Sequence, residues 1–165
     1  MKKSEVLMSL LTQDRVIRFN IDMLEGLLGE IKGDMEEARV LVESCLEEGE
    51  KERISKRLSE FEKNFVSLLS EVLDYIYDLY EIFNFDITFL AAIPEELQRE
   101  IERLDVVGSI NARLEHLMNT LDQLLTEEDE RIKAILTPFL VYREVIQQAM
   151  SFNRKFDLQN LQRIG

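Results

Sequence analysis

From Ile54 to Ile82 the apolar residues fall at alternating steps of four and three: Ile54, Leu58, Phe61, Phe65, Leu68, Val72, Tyr75, Leu79 and Ile82. This is the spacing of one face of a helix, and in heptads it makes a seam about four repeats long. A strand would need a period of two. Val66, Leu69, Leu73, Ile76, Tyr80 and Phe83 add a second apolar face later in the segment. The early half is therefore expected to pack on one side and the late half to be surrounded. A helix over 51–83 would be about 50 Å long at 1.5 Å per residue. A compact globule of this chain length has a diameter near ~40 Å. The segment does not fit inside such a sphere, so the molecule is expected to be elongated.

The same spacing runs through most of the chain. A first helix is predicted from about Ser4 to Lys32, with Leu7, Leu10 or Leu11, Ile17, Ile21, Leu24, Leu28 and Ile31 on one face. Gly33 reads as a stop, and Asp34 with Glu37 as a capping box for a second helix over 35–48. Its inner face would hold Ala38, Leu41 or Val42, and Cys45, with Gly49 at its end. Residues 84–93 form a connector, and Pro94 suits the first turn of a fourth helix carrying Leu97, Ile101 and Leu104 to Asp105. Gly108-Ser109 reads as a break. A fifth helix follows with Ile110, Leu114, Leu117, Leu121 and Leu124 inward. Thr126 with Asp129 resembles a further cap. A sixth segment begins near Glu127, is kinked or restarted by Pro138, and runs through Phe139 to Phe152. Residues 153–165 are either a docked helix or a loose tail. Only 6 Gly and 2 Pro punctuate the 165 residues, too few for the many turns of an all-β fold. The expected fold is all-α: one domain over 1–165, an elongated antiparallel bundle of about five to seven helices, the long ones coiled-coil-like. Residues 1–83 make a long hairpin-like half and 94–152 a second helical half.

Charge and rare residues exclude several functions. The formal net charge is −13, which argues against nucleic acid or an anionic membrane as partner. The longest apolar run, Phe89 to Ile93, is far short of the about 20 residues of a membrane span. Glu5 and Ser9 interrupt what Lys2 and Lys3 could begin as a signal peptide. A cytoplasmic location is expected. With 1 Cys and 1 His, neither an internal disulfide, a Cys-rich zinc site nor a His-pair metal site can form. Cys45 is expected to be a buried structural thiol.

The sharpest polar pattern is a carboxylate stripe. Glu71, Asp74, Asp78 and Glu81 follow steps of three, four and three, and no Lys or Arg occurs between Lys63 and Arg99. Like charges at this spacing cost about 0.2–0.5 kcal/mol per pair. The stripe is either a solvated or salt-bridged helix face, or a place where carboxylates meet a divalent cation. Glu71-Val72-Leu73-Asp74, followed by Tyr75-Ile76-Tyr77-Asp78-Leu79, resembles the E-x-x-D helix of the all-α nucleoside triphosphate pyrophosphatases. The resemblance covers about ten residues. It implies Mg²⁺ held by carboxylates of two antiparallel helices, with the ion binding the triphosphate of a nucleotide. Glu71, Asp74, Asp78 and, from a facing helix, Glu43 are the candidate ligands. The family's E-E-x-x-E motif begins here as Glu36-Glu37, but Val40 stands where the third carboxylate belongs.

His116, on the predicted fifth helix, is similar in setting to the phosphoryl acceptor of histidine phosphotransfer domains and sensor-kinase helices. In the kinase pattern an acidic residue follows the histidine; here Glu115 precedes it and Leu117 follows. One position turns a helical side chain by about 100°, so the acid points elsewhere. The reading the sequence favours is a non-enzymatic helical bundle acting through protein–protein contacts, as an adaptor, chaperone-like or assembly protein. It uses no cofactor and self-associates, most simply as a two-fold homodimer. A Mg²⁺-dependent pyrophosphatase is the alternative, and a phosphotransfer module the third reading.

Overall fold

The computed structural model describes residues 3–83, 99 and 103–157, with side-chain positions from Leu11 onward, and its regular elements are all helices. These are α1 (Lys3–Cys45), α2 (Glu48–Phe83), α3 (Val106–Leu124), α4 (Glu130–Ile135) and α5 (Thr137–Lys155). The connector over 84–93, Pro94, Leu97 and Ile101, and the last part of the predicted tail (158–165) lie outside the described residues, as do the side chains of Leu7 and Leu10 in the first helix.

The expected break at Gly33 does not occur, because α1 runs through it unbroken for 43 residues. Leu24, Leu27, Ile31, Met35, Ala38 and Val42 form one continuous buried stripe across the glycine. A helical glycine costs about 1 kcal/mol relative to alanine. Burying a large aliphatic side chain returns about 1.5–3 kcal/mol, so the stripe outweighs the glycine. Asp34 is not a cap; its carboxylate accepts the hydroxyl of Tyr142. Cys45 is exposed, contrary to the sequence reading, and Leu46 takes the buried position at the end of the stripe. The chain then reverses at Leu46-Glu47. Helix α2 starts earlier than expected, with Gly49 inside its first turn and Glu48 and Glu50 against the positive end of the helix dipole.

The seam of α2 holds as far as Phe65 and then turns toward the second apolar face: Val72 and Leu79 stay buried and Leu69, Leu73, Ile76 and Phe83 join them, while Leu68 and Tyr75 are half-buried and Ile82 is exposed. From Ile54 to Phe83 the buried step averages about 3.6 residues, the period of a straight helix, whereas a heptad seam of 3.5 drifts about 20° per repeat.

Cross-helix contacts give the topology. Arg39 meets Glu62 and Glu43 meets Lys51 between α1 and α2. Arg57 meets the Gln123 carbonyl, and Arg113 lies over the Tyr75 ring, between α2 and α3. Asp122 meets Arg143 and Asn111 meets the Met150 carbonyl between α3 and α5. Asn20 meets Asn153, and Asp34 meets Tyr142, between α1 and α5. In each pair one number rises as the other falls. Helices α1, α2, α3 and α5 therefore form an up-down-up-down bundle in which each neighbour is antiparallel. An aromatic cluster fills its centre: Phe61 lies 5.0 Å from Phe65 and 5.3 Å from Phe139, and Tyr142 lies 6.3 Å from Phe65 and 5.6 Å from Phe139 between ring centroids.

The short elements are set by local chemistry. Asp105 caps α3, accepting the Gly108 N–H at 2.9 Å, so the helix begins ahead of Gly108-Ser109. A Cβ on Gly108 would collide with that carboxylate. Asp129, not Thr126, caps α4 by accepting the Arg131 N–H at 2.8 Å. Pro138 sits in the first turn of α5, where its missing N–H goes unused. Helix α5 continues to Lys155, three residues past the expected end at Phe152.

Candidate functional site

The candidate ligands fall into two places. Glu71, Asp74 and Asp78 are exposed on the outer face of α2, together with Glu81. Glu43 lies at the other end of the hairpin, where it faces Lys51 at 4.0 Å. Lys51 and Glu71 are 20 residues apart on α2, which separates Glu43 from the stripe by about 30 Å. Among the described residues no group of three or more His, Cys, Asp and Glu side chains is placed to hold a metal ion. None of the ion pairs among the described residues involves Glu71, Asp74, Asp78 or Glu81. The nearby cations instead stack on tyrosines of the same helix, Arg113 at 3.4 Å from the Tyr75 ring centre and Arg18 at 5.2 Å from that of Tyr80. His116 is exposed on α3, and its backbone carbonyl accepts the Thr120 hydroxyl.

The strongest polar constellation is one that periodicity did not reveal. Asn20 of α1, Asn111 of α3 and Asn153 of α5 meet in the core, at 0%, 9% and 0% exposure. Asn20 and Asn153 pair reciprocally: Asn20 Nδ2 donates to Asn153 Oδ1 at 2.8 Å and Asn153 Nδ2 donates to Asn20 Oδ1 at 3.2 Å. Asn153 Nδ2 also donates to Asn111 Oδ1 at 2.8 Å. The amides of Asn20 and Asn111 also donate to helix carbonyls, Asn20 to Val16 at 2.7 Å and Asn111 to Met150 at 3.1 Å. Every member has a partner, which is the condition under which buried polar groups are tolerated. The available signal was weak: each asparagine stands at a position where the apolar stripe expects a hydrophobe.

A second constellation closes the α1–α2 end of the bundle. Arg53 donates to Glu127 at 2.6 Å, and Arg57 pairs with the same carboxylate. Arg57 also donates to the carbonyls of Gln123 at 2.5 Å and Leu124 at 3.2 Å and to the Thr126 hydroxyl at 3.2 Å. A guanidinium there satisfies the free carbonyls at the end of α3 and meets the negative end of its dipole. Partial burial, with Arg53 close by, lowers the Arg57 pKa below the ordinary arginine value. Arg131 holds the Asp129 carboxyl below the usual range, and Asp14 raises the Arg18 guanidinium.

The outer surface carries large apolar side chains. Val40 on α1 is 66% exposed, and Leu140 and Val141, adjacent on α5, are 47% and 51% exposed. No described helix is long and apolar enough to cross a membrane.

No family model matches the chain, and no solved structure matches it. A protein of Aquifex aeolicus (strain VF5), described as an uncharacterized protein, is 47% identical over 158 residues, covering 94% of this chain and 95% of that protein. Identity at that level over nearly the whole of both chains shows common descent, and this chain belongs to the same family as the Aquifex aeolicus protein.

Proposed function

We propose that this chain is a non-enzymatic helical-bundle protein that works through protein–protein contacts in the cytoplasm, in an adaptor, chaperone-like or assembly role, and that it also self-associates. The observation that carries this reading is the pair Leu140 and Val141 on the outer face of α5. Helix α5 already buries Phe139, Tyr142, Ile146, Ala149 and Met150 against the bundle. Two further large aliphatics side by side on its outer side leave about half of their surface in water within the monomer. Covered by a partner, they would gain about 25 cal/mol for each Å² removed from water. The net charge of −13 favours a partner with a basic surface.

The test is a photo-cross-linking residue at position 141, with one at the exposed Lys63 as control. The expected result is an adduct with one protein at 141 and none at 63. The purified partner should then bind the chain and lose binding to a Leu140→Asp, Val141→Asp variant that keeps its helical content. Equal labelling at the two positions, or binding indifferent to the double change, would refute the reading.

A further inference from the structure

We propose that the asparagine network is a register lock: by meeting Asn20 and Asn111, Asn153 selects the axial position at which α5 docks. It thereby fixes where Leu140 and Val141 stand on the surface, whatever covers them.

Apolar packing alone leaves that position open. The buried stripe of α1 is apolar from Val16 to Val42 except at Asn20, and that of α3 is apolar from Val106 to Leu124 except at Asn111. Both recur at steps of three and four, as does the inner face of α5 through Phe139, Tyr142, Ile146, Ala149 and Asn153. A shift of α5 by one turn, about 5 Å, therefore sets apolar residues on apolar residues again. The asparagines do not recur. Shifted one turn, Asn153 would lie against Ile17 and Val107 in one direction, or Leu24 and Leu114 in the other, all of them buried. Its amide would have no side-chain partner there, and Asn20 Oδ1 and Asn111 Oδ1 would lose their donor inside the core. A polar position in an apolar seam specifies register in this way, at a cost in stability.

The other contacts of α5 discriminate less. Tyr142 donates to Asp34, but Glu30 and Glu37, exposed one turn to either side on α1, offer its hydroxyl a carboxylate in both shifted positions. Phe139 and Tyr142 both present a ring, so a shift exchanges ring for ring beside Phe61 and Phe65. The Met150 carbonyl that accepts Asn111 has an equivalent on each turn of α5, and Gln13 reaches the Phe156 carbonyl only at 3.5 Å. Arg143 on Asp122 and Phe152 on Phe19 are surface contacts partly open to water, which weakens their hold on position.

The test places spin labels on the native Cys45, exposed at the end of α1, and at the exposed position 147 of α5 through Gln147→Cys. Because Tyr142 lies level with Asp34, the two labelled positions are about 25 Å apart along the bundle axis, and an axial shift of α5 changes their distance. Double electron–electron resonance should show one narrow distance population when all three asparagines are in place. The triple variant Asn20→Val, Asn111→Val, Asn153→Val should keep its helical content yet show a second population displaced by about 5 Å. Asn153→Val alone should show it too, at a lower melting temperature, because every position of α5 then leaves Asn20 and Asn111 without their donor. Tyr142→Phe should keep the single population. One unshifted population in Asn153→Val or in the folded triple variant would overturn the proposal. So would a second population with all three asparagines in place, or one as large in Tyr142→Phe as in Asn153→Val.

Discussion

Replacing Asn153 with alanine should destabilise the bundle far more than the loss of one small side chain suggests. Asn153 is fully buried and takes part in three amide hydrogen bonds, two to Asn20 and one to Asn111. With alanine there, Asn20 Oδ1 and Asn111 Oδ1 lose the only donors recorded for them while remaining in the core. Each orphaned buried acceptor costs about 1–3 kcal/mol, and the cavity adds to that. The expected loss is about 4 kcal/mol, a large part of the about 5–15 kcal/mol by which domains are stable. For a chain of this size that lowers the melting temperature by about 8–16 °C. Urea unfolding followed by circular dichroism reads the change as a shift in midpoint at constant slope. The triple variant Asn20→Leu, Asn111→Leu, Asn153→Leu should be about as stable as wild type, because no amide is then left without a partner. A loss below about 1 kcal/mol in Asn153→Ala would refute the reasoning, since it would mean that the two acceptors find other donors. So would a triple variant as unstable as the sum of its single changes.

Leu69→Ala should cost about 2–5 kcal/mol and Leu68→Ala about 1 kcal/mol or less, which chemical denaturation would resolve. Equal costs would mean that the buried seam does not step from Phe65 to Leu69. Tyr142 has its pKa raised above tyrosine's ordinary 10.0 by burial and by the Asp34 carboxylate that accepts its hydroxyl. A group whose folded pKa is raised contributes stability that is fully present below the unfolded pKa and is lost as pH rises above it. Stability should therefore fall above pH 10, and Tyr142→Phe should lower stability at neutral pH while flattening that alkaline decline, measured by urea midpoints across pH. Asp74→Asn with Asp78→Asn should leave stability equal or slightly higher, because the neighbouring repulsions Glu71–Asp74, Asp74–Asp78 and Asp78–Glu81, about 0.2–0.5 kcal/mol each, are all removed. Stoichiometric micromolar Mn²⁺ binding to wild type, lost in that pair of changes, would instead support the pyrophosphatase resemblance.

Helical content was legible because burial in a bundle imposes a period near 3.6, and the chain keeps it from Val16 to Val42 and from Ile54 to Phe83. Phase was less legible. Both Leu68 and Leu69 are apolar, and only the rotation of α2 against α1 and α3 decides which one turns inward. Gly33-Asp34 misled because local stop-and-cap chemistry is a small term beside a stripe that continues in register through Met35 and Ala38. Cys45 misled in the opposite direction: the helix ends there, and its reversal brings Leu46 inward instead. The asparagine cluster stayed hidden because Asn20, Asn111 and Asn153 come together only when α1, α3 and α5 assemble, and Asn153 lay in what reads as a tail. The stripe Glu71, Asp74, Asp78 and Glu81 was placed correctly on one helical face. Its distance from Glu43 depends on hairpin register, which no local pattern encodes.

The reciprocal pair between Asn20 and Asn153 joins positions 133 residues apart, whereas α1 and α2 reverse at Leu46-Glu47. Contacts so unequal in sequence separation set an order of assembly, because the entropy of closing a chain rises with the length enclosed. The α1–α2 hairpin emerges first from the ribosome and pairs early. Its inner face, including Phe61 and Phe65, waits for Phe139 and Tyr142, which are among the last core residues to be made. Throughout that interval the nascent chain is a long hairpin with an uncovered apolar groove. The arrival of α5 both fills the groove and presents Asn153 to Asn20 and Asn111. Chains that stall before residue 139 should therefore be the ones that engage holdase chaperones, and release should coincide with synthesis of α5.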